Sequence, residues 1–356
     1  MFITISGKSL ALSISVFLII VFTGGLVLLY TGSAPVTETQ EIQEIQEAQE
    51  VQPEGTKIKW VDFNVSYEAL CDTMSEDIKS YGSENHTSWI DMLAYLACKN
   101  GNNFSRYNKS QLTQLTDRLK NGETIESITG DMKYFSYYKE SLNAILGGFI
   151  GDYAIQTYDE KADEVVWKKR YGLKVFSPIA KNYSFQHYDD FAASRSYGYK
   201  RLHTGHDLMG SIGTPIIAVE SGTVESAGWN QYGGWRIGIR SFDNKRYYYY
   251  AHLRKDHPYT EEWKEGDIVT AGDVIGYLGM TGYSVKENVN NINTPHLHFG
   301  IQLIFDVSQK DGPNQIWIDL YELTKFLSQN RMQTILSEDG KNRKAASNLI
   351  IDTIPD

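Results

Sequence analysis

Cysteine is almost absent from this chain: only Cys71 and Cys98 occur in 356 residues. Two thiols cannot build a disulfide scaffold or a multi-thiolate zinc site. They leave two readings open, a single bridge or two small buried hydrophobes. Proline is sparse, 8 against 30 glycines, and with 41% hydrophobic and 22% charged residues the composition excludes collagen and wholesale disorder. Positive charge is also short. Lys and Arg total 34 against 44 Asp and Glu, a formal charge of −10, so no global field draws the chain to phosphate backbones and no nucleic-acid partner is expected. Long apolar runs are limited to one, which excludes a polytopic membrane protein.

That run, Leu10 to Tyr30, holds 21 residues without a charge, enough at helical rise to cross a hydrocarbon core of roughly 30 Å. A cleaved signal has an apolar core of about 7–15 residues. The length therefore predicts a retained transmembrane anchor, with cleavage near Thr31 to Ala34 as the alternative. Lys8 precedes the span and no Lys or Arg occurs from residue 9 to 56, an asymmetry that places the short N-terminus in the cytoplasm and the rest outside. Next comes a run with Glu38, Glu41, Glu44, Glu47, Glu50 and Glu54 and no basic partner. Like-charge repulsion extends such a segment, so it reads as a solvated stalk.

From about Trp60 to Gly147 the apolar spacing is helical. Ser66 can cap a helix carrying Ala69, Leu70, Met74 and Ile78, and Thr87 or Ser88 precedes Ile90, Leu93, Ala94 and Ala97 before Gly101. Leu112, Leu115 and Leu119 repeat the pattern, and a further helix runs through Tyr134 to Leu146, so a small four-helix module is expected. Its one histidine, His86, sits in a loop signal and reads as solvated. Beyond about Asp163 the glycines become frequent and β-rich runs appear: 216–219, 236–239, 246–250, 274–278 and 298–303. Turn signals at short intervals between them predict mostly antiparallel strands. An amphipathic helix from about Ile318 to Leu327 follows, and the tail beyond Asn330 reads as polar and mobile.

The chemistry-bearing residues lie in the β-rich part, where His203, His206, His252, His257, His296 and His298 fall. In His203-Thr-Gly-His-Asp207 an imidazole and a carboxylate stand four apart around a glycine, which lets both converge on one ion. In His296-Leu-His298 the two histidines project to one face of a strand while Leu297 enters the core. Two such imidazoles need hydrogen bonds or a metal. His203, the carboxylate and one histidine of the pair make a three-ligand set with an open fourth position, the pattern of a catalytic rather than a structural zinc site. The remaining histidines are then available for proton transfer.

The segments RLHTGHD (201–207), GTPIIAVESGTV (213–224), GWNQYGG (228–234), YAHL (250–253), EGDIVTAGDVIGYLGMTG (265–282) and PHLHFGI (295–301), in this order, resemble the lysostaphin and LytM group of zinc endopeptidases, the M23 metallopeptidases. The resemblance spans about Val175 to Leu303. It implies a groove floored by an antiparallel sheet, one zinc ion per chain held by His203, Asp207 and His298, and catalytic roles for His252 and His296 in activating water and stabilising the tetrahedral oxyanion. It also implies peptide bonds of bacterial peptidoglycan as substrate. His206 replaces a usually aliphatic residue and should point away from the ligand face. Trp229, Tyr232 and Trp235 are candidates for the groove wall or for core packing.

The expected fold class is α+β, laid out as a cytoplasmic tip and transmembrane anchor (1–31), an acidic stalk (32–59), a helical module (60–157), an M23-like zinc peptidase domain (158–310) and a C-terminal helix with a polar tail (311–356). The expected protein is a single-pass protein of the bacterial cell membrane with an extracytoplasmic catalytic domain and an envelope protein partner for its helical module. The alternative is a non-catalytic scaffold of a cell-envelope complex.

Overall fold

The computed structural model describes residues 58–350 apart from 162, 197–199 and 339. The apolar run 10–30 and most of the acidic segment lie outside the described residues. Among the described residues no helix is long and apolar enough to cross a membrane.

Helices α1 (Tyr67–Ser80), α2 (Trp89–Asn100), α3 (Lys109–Lys120), the five-residue α4 (Ile125–Thr129) and α5 (Phe135–Leu146) come first. Ser66 and Ser88 cap α1 and α2 by accepting from Ala69 and Asp91 amides, and Gly101 closes α2 in the left-handed conformation that its missing Cβ permits. α2 packs against α1, α3 and α5, so its apolar face widens to include Trp89, Met92, Tyr95 and Leu96, all buried. His86, expected to be solvated, is exposed, and it also has partners. Its Nε2 is 2.9 Å from Asp77 Oδ1 and its ring stands edge-on to Tyr81 and Tyr171. Asp77 is buried and also accepts from the Trp89 amide and the Tyr171 hydroxyl, so it ties the helices to a long hairpin, Ile150–Asp159 with Glu164–Leu173. Cys71 and Cys98 are free thiols.

The main sheet uses eight strands: β1 (Gln186–His187), β2 (His206–Met209), β3 (Gly222–Asn230), β4 (Gly234–Ser241), β5 (Arg246–Ala251), β6 (Ile268–Val269), β7 (His296–Leu303) and β8 (Ile316–Trp317). Their order across the sheet is β6-β3-β4-β5-β7-β2-β1, with β8 also pairing β7, and each of these pairings is antiparallel. Period-2 alternation splits the sheet into two faces. Leu297, Phe299, Ile301 and Leu303 of β7, Tyr248 and Tyr250 of β5, and Ile237 and Ile239 of β4 point into one buried core. That core continues into the helices, where Trp89 meets Phe149 and Phe326 at ring distances of 6.4 and 5.8 Å. The opposite face carries His296, His298, Tyr247, Tyr249, Arg236 and Arg240.

Helix α6 (Tyr321–Leu327) starts later than the sequence suggested; Ile318 and Leu320 are buried before it. The described part of the tail corrects the expectation of mobility. Residues Thr334–Leu336 pair with Arg343–Ala345, Leu349 pairs with the hairpin, and Met332 and Leu349 are buried. These strands are only two or three residues long, too short for periodicity to announce them, and the partner of Leu349 lies far back in the chain.

Candidate active site

Register assembles the site. Across β2 and β7, Asp207 stands directly opposite His298, and opposed residues of an antiparallel pair share a face. His203 arrives from the segment before β2, its amide donating to the Ala193 carbonyl. Between them Gly205 is required: a Cβ there would lie 2.5 Å from Cε1 and Nε2 of the His298 ring. Three atoms converge as a result. His203 Nε2 is 3.0 Å from Asp207 Oδ1 and 2.9 Å from His298 Nδ1, and His298 Nδ1 is 3.0 Å from the same carboxylate oxygen.

The proton positions follow from the outer contacts. His203 Nδ1 lies 3.1 Å from the Asp190 backbone carbonyl and donates to it, so Nε2 is the atom that faces Asp207, donating to it when protonated and offering a lone pair when a cation takes the proton's place. Arg195 donates to Asp190 at 2.6 Å and approaches Asp207 Oδ2 at 3.5 Å. The second carboxylate oxygen is thereby held by a cation while Oδ1 faces the imidazoles. Burial raises the Asp207 carboxyl, but hydrogen bonds from His203 and His298 outweigh it and hold the group well below the usual carboxylate range. Burial lowers His203, yet the Asp207 hydrogen bond and charge carry it above the ordinary imidazole value, whereas burial leaves His298 below it. Lone pairs packed about 3 Å apart repel one another unless a proton or a cation sits among them. Zinc bonds of about 2.0–2.2 Å to nitrogen and carboxylate oxygen suit this spacing and this donor set, and His203, Asp207 and His298 form the one candidate metal-binding group found among the described residues.

Two further imidazoles flank the cluster with a common orientation. His296 Nδ1 is 2.8 Å from the Thr294 carbonyl and His252 Nδ1 is 2.8 Å from the Thr281 carbonyl. In each ring Nδ1–H donates and the Nε2 lone pair is left for other work. His296 Nε2 lies 3.7 Å from Asp207 Oδ1, and the His252 ring is 4.8 Å from His296 and 5.9 Å from His298 between centroids. His252 holds φ at 61°, the left-handed region that a non-glycine residue adopts at a cost of about 1–3 kcal/mol. Burial, then the neighbouring His296 and His298, lower its pKa well below the ordinary value, so it is neutral at pH 7.

His206 points to the core face, opposite Phe299. It is fully buried, its Nε2 is 2.9 Å from His187 Nδ1, and its Nδ1 has no hydrogen-bond partner among the described residues. An orphaned lone pair costs less than an orphaned N–H, so the hydrogen sits on Nε2 and donates to His187. Burial pushes His206 down to about 3. His187 had no signal in the sequence, being a lone histidine whose partner lies 19 residues away. Asp190 and Arg195 were equally silent. Of the aromatic candidates, Trp229 and Trp235 pack edge to face at 5.8 Å, while Tyr232 takes the Arg201 guanidinium over its ring at 5.3 Å. Arg201 also covers Tyr283, whose ring meets His252.

Residues 201–311 match the Peptidase family M23 model. The chain carries a peptidase family M23 domain. The chain is 39% identical over 124 residues to the L-Ala--D-Glu endopeptidase of Bacillus subtilis, covering 35% of this chain and 36% of that protein. It is 41% identical over 99 residues to lysostaphin of Staphylococcus simulans, covering 28% of this chain and 17% of that protein. The chain thus spans about a third or less of the length of these curated relatives. The lytM structure from Ruminococcus gnavus superposes with a TM-score of 0.51 at 22% identity, covering 85% of this chain and all of that one, a likeness of fold.

Proposed function

We propose that this protein is a membrane-anchored zinc endopeptidase that hydrolyses peptide bonds of bacterial peptidoglycan, in the stem peptide or the cross-bridge. The observation that carries the reading is the cluster of three converging lone-pair donors flanked by two imidazoles with Nε2 unspent. The names of the relatives support the substrate class, and the uncharged run 10–30 with its one-sided charge supports the anchor and an extracytoplasmic catalytic domain.

His203, Asp207 and His298 hold the metal. When bound there, zinc supplies Lewis acidity and brings the ionisation of a water into the neutral range. Asp190 and Arg195 fix the ligands, because each engages a ligand atom that does not face the cluster. His252 and His296 are presented as bases: a proton from water is received at the Nε2 that faces the cluster, and the resulting N–H then donates to the oxyanion or the departing amine.

The test is zinc content together with release of soluble peptide from purified peptidoglycan, followed by mass spectrometry of the fragments. Chelation should abolish release and zinc restore it. His252→Ala and His296→Ala should retain zinc and the fold yet lose about 10²–10⁴ in rate. Full release from demonstrably metal-free protein, or a zinc-loaded protein that frees no peptide, would remove the enzyme and return the chain to a non-catalytic envelope scaffold.

A further inference from the structure

The polar face of the sheet does not end at the metal-binding cluster. From His298 a trough of about 420 Å³ runs over Tyr249 and Trp317 to Arg236, Arg240 and Lys310. Its floor is laid by aromatic rings that rest on glycines of neighbouring strands. The Tyr247 ring covers Gly238, and Trp317 covers Gly300 with Cζ3 2.7 Å from where a Cβ would stand. Any larger residue at either glycine would lift a ring into the trough.

The charge along this trough opposes that of the chain. Arg236, Arg240 and Lys310 face two carboxylates, Glu225 and Asp311, one cation in excess within a protein of formal charge −10. Glu225 is already engaged twice, by Arg240 Nε at 2.7 Å and Lys310 Nζ at 2.7 Å. Arg236 Nη1 donates to Ser226 Oγ at 2.8 Å, and that hydroxyl also meets Tyr247 Oη at 3.0 Å. Arg240 retains only 9% of its exposure, lies over the Tyr247 ring at 5.0 Å, and has a buried Nη1 with no hydrogen-bond partner among the described residues. A buried guanidinium N–H without an acceptor is costly. Beside its pairing with Glu225, the Arg240 guanidinium therefore has one N–H left without an acceptor.

We infer that this trough is a carboxylate-binding subsite, in which Arg240 and Arg236 select a peptide segment bearing a free carboxylate within about three residues of the bond to be cut. Across Tyr250, Ile237 stands level with Phe299, so their neighbours Arg236 and His298 lie two strands apart. That separation is about 10 Å by strand spacing, or about three residues of extended peptide. A planar guanidinium accepts a carboxylate through two parallel N–H bonds, which the matching carboxamide cannot reproduce. The inference rests on the peptidase reading only for what the occupying chain is part of.

The test uses two blocked peptides, N-acetyl-alanyl-D-glutamyl-glycyl-alanine amide, whose sole carboxylate is the D-Glu side chain, and its D-Gln twin. Binding to the zinc-loaded full chain is measured by calorimetry, and the ¹⁵N shifts of the arginine side chains are followed in parallel. The acid should bind about tenfold or more tightly than the amide, moving the Arg240 and Arg236 resonances. Arg240→Gln and Arg236→Gln should erase the preference by weakening the acid peptide alone, and Arg240→Lys should keep part of it. Arg236 is half-exposed, so its variant reports even where Arg240→Gln fails to fold. Equal binding of both peptides by the unaltered protein, or Arg236→Gln weakening both alike, overturns the inference even if peptidoglycan is still digested. A kept acid preference without digestion leaves this subsite standing while the peptidase reading falls.

Discussion

Two buried charge clusters sit on opposite faces of one sheet and are built in opposite ways. On the core face, Arg246 is almost inaccessible, yet Nε and Nη2 donate to Glu220 at 2.8 and 3.1 Å, Nη2 also to Asp243 at 2.8 Å, and Nη1 to the Ala144 carbonyl at 2.7 Å. Tyr248 adds its hydroxyl to Glu220 at 2.6 Å. Every donor named has an acceptor, so the network is closed, and through Ala144 it fastens α5 to the sheet. On the polar face, His203, Asp207 and His298 aim acceptors at one another. Burial is similar, but the second cluster needs a proton or a cation among its acceptors. A closed network stabilises; an open one is positioned to hold something else.

Three measurements sharpen that contrast. The largest effect belongs to the open cluster: Asp207→Ala should remove stoichiometric zinc and all detectable hydrolysis, read by metal analysis and peptide release, while circular dichroism at 20 °C stays close to that of the parent. Retained zinc in this variant would break the comparison. Next, Arg246→Met leaves Glu220 buried without its partner and should cost about 3–5 kcal/mol in denaturant unfolding, with zinc content per folded molecule unchanged. A loss below about 1 kcal/mol would show the network to be ornamental.

The smallest effect is on pH dependence and concerns His206, which lies behind the open cluster. Its folded-state value is pushed down to about 3 by burial against about 6.5 in the unfolded chain. The unfolded chain therefore binds the extra proton, so the stability tied to the neutral ring is present above pH 6.5 and is lost as pH falls from there toward 3. Between pH 7 and 5, under identical metal loading, His206→Leu should gain about 2 kcal/mol relative to the parent. Parallel stability curves for the two proteins would contradict the buried neutral ring.

Legibility followed the distance over which each feature is specified. The caps at Ser66, Ser88 and Gly101 and the buried Leu112, Leu115 and Leu119 were readable because a helix is written within four residues. The shared face of His296 and His298 was readable because a strand has period two. Arg246 read as an ordinary strand residue and the tail as loose, because Glu220 and the hairpin that hold them are remote along the chain. Arg240 was equally mute, since its orphaned Nη1 exists only once Tyr247 and Glu225 are packed around it.

By itself, the amino-acid order determined where the capped helices α1 and α2 begin, which side of each strand is apolar, and which histidines are available in which spacing, since these depend on backbone geometry over a few residues. Only the tertiary structure decided which of those groups meet. Register placed Asp207 opposite His298, Gly205 let the His298 ring close on His203, and the packing of β4 against β5 set two arginines at the far end of the trough. Proximity between segments is produced by folding the whole core, and no local pattern encodes it.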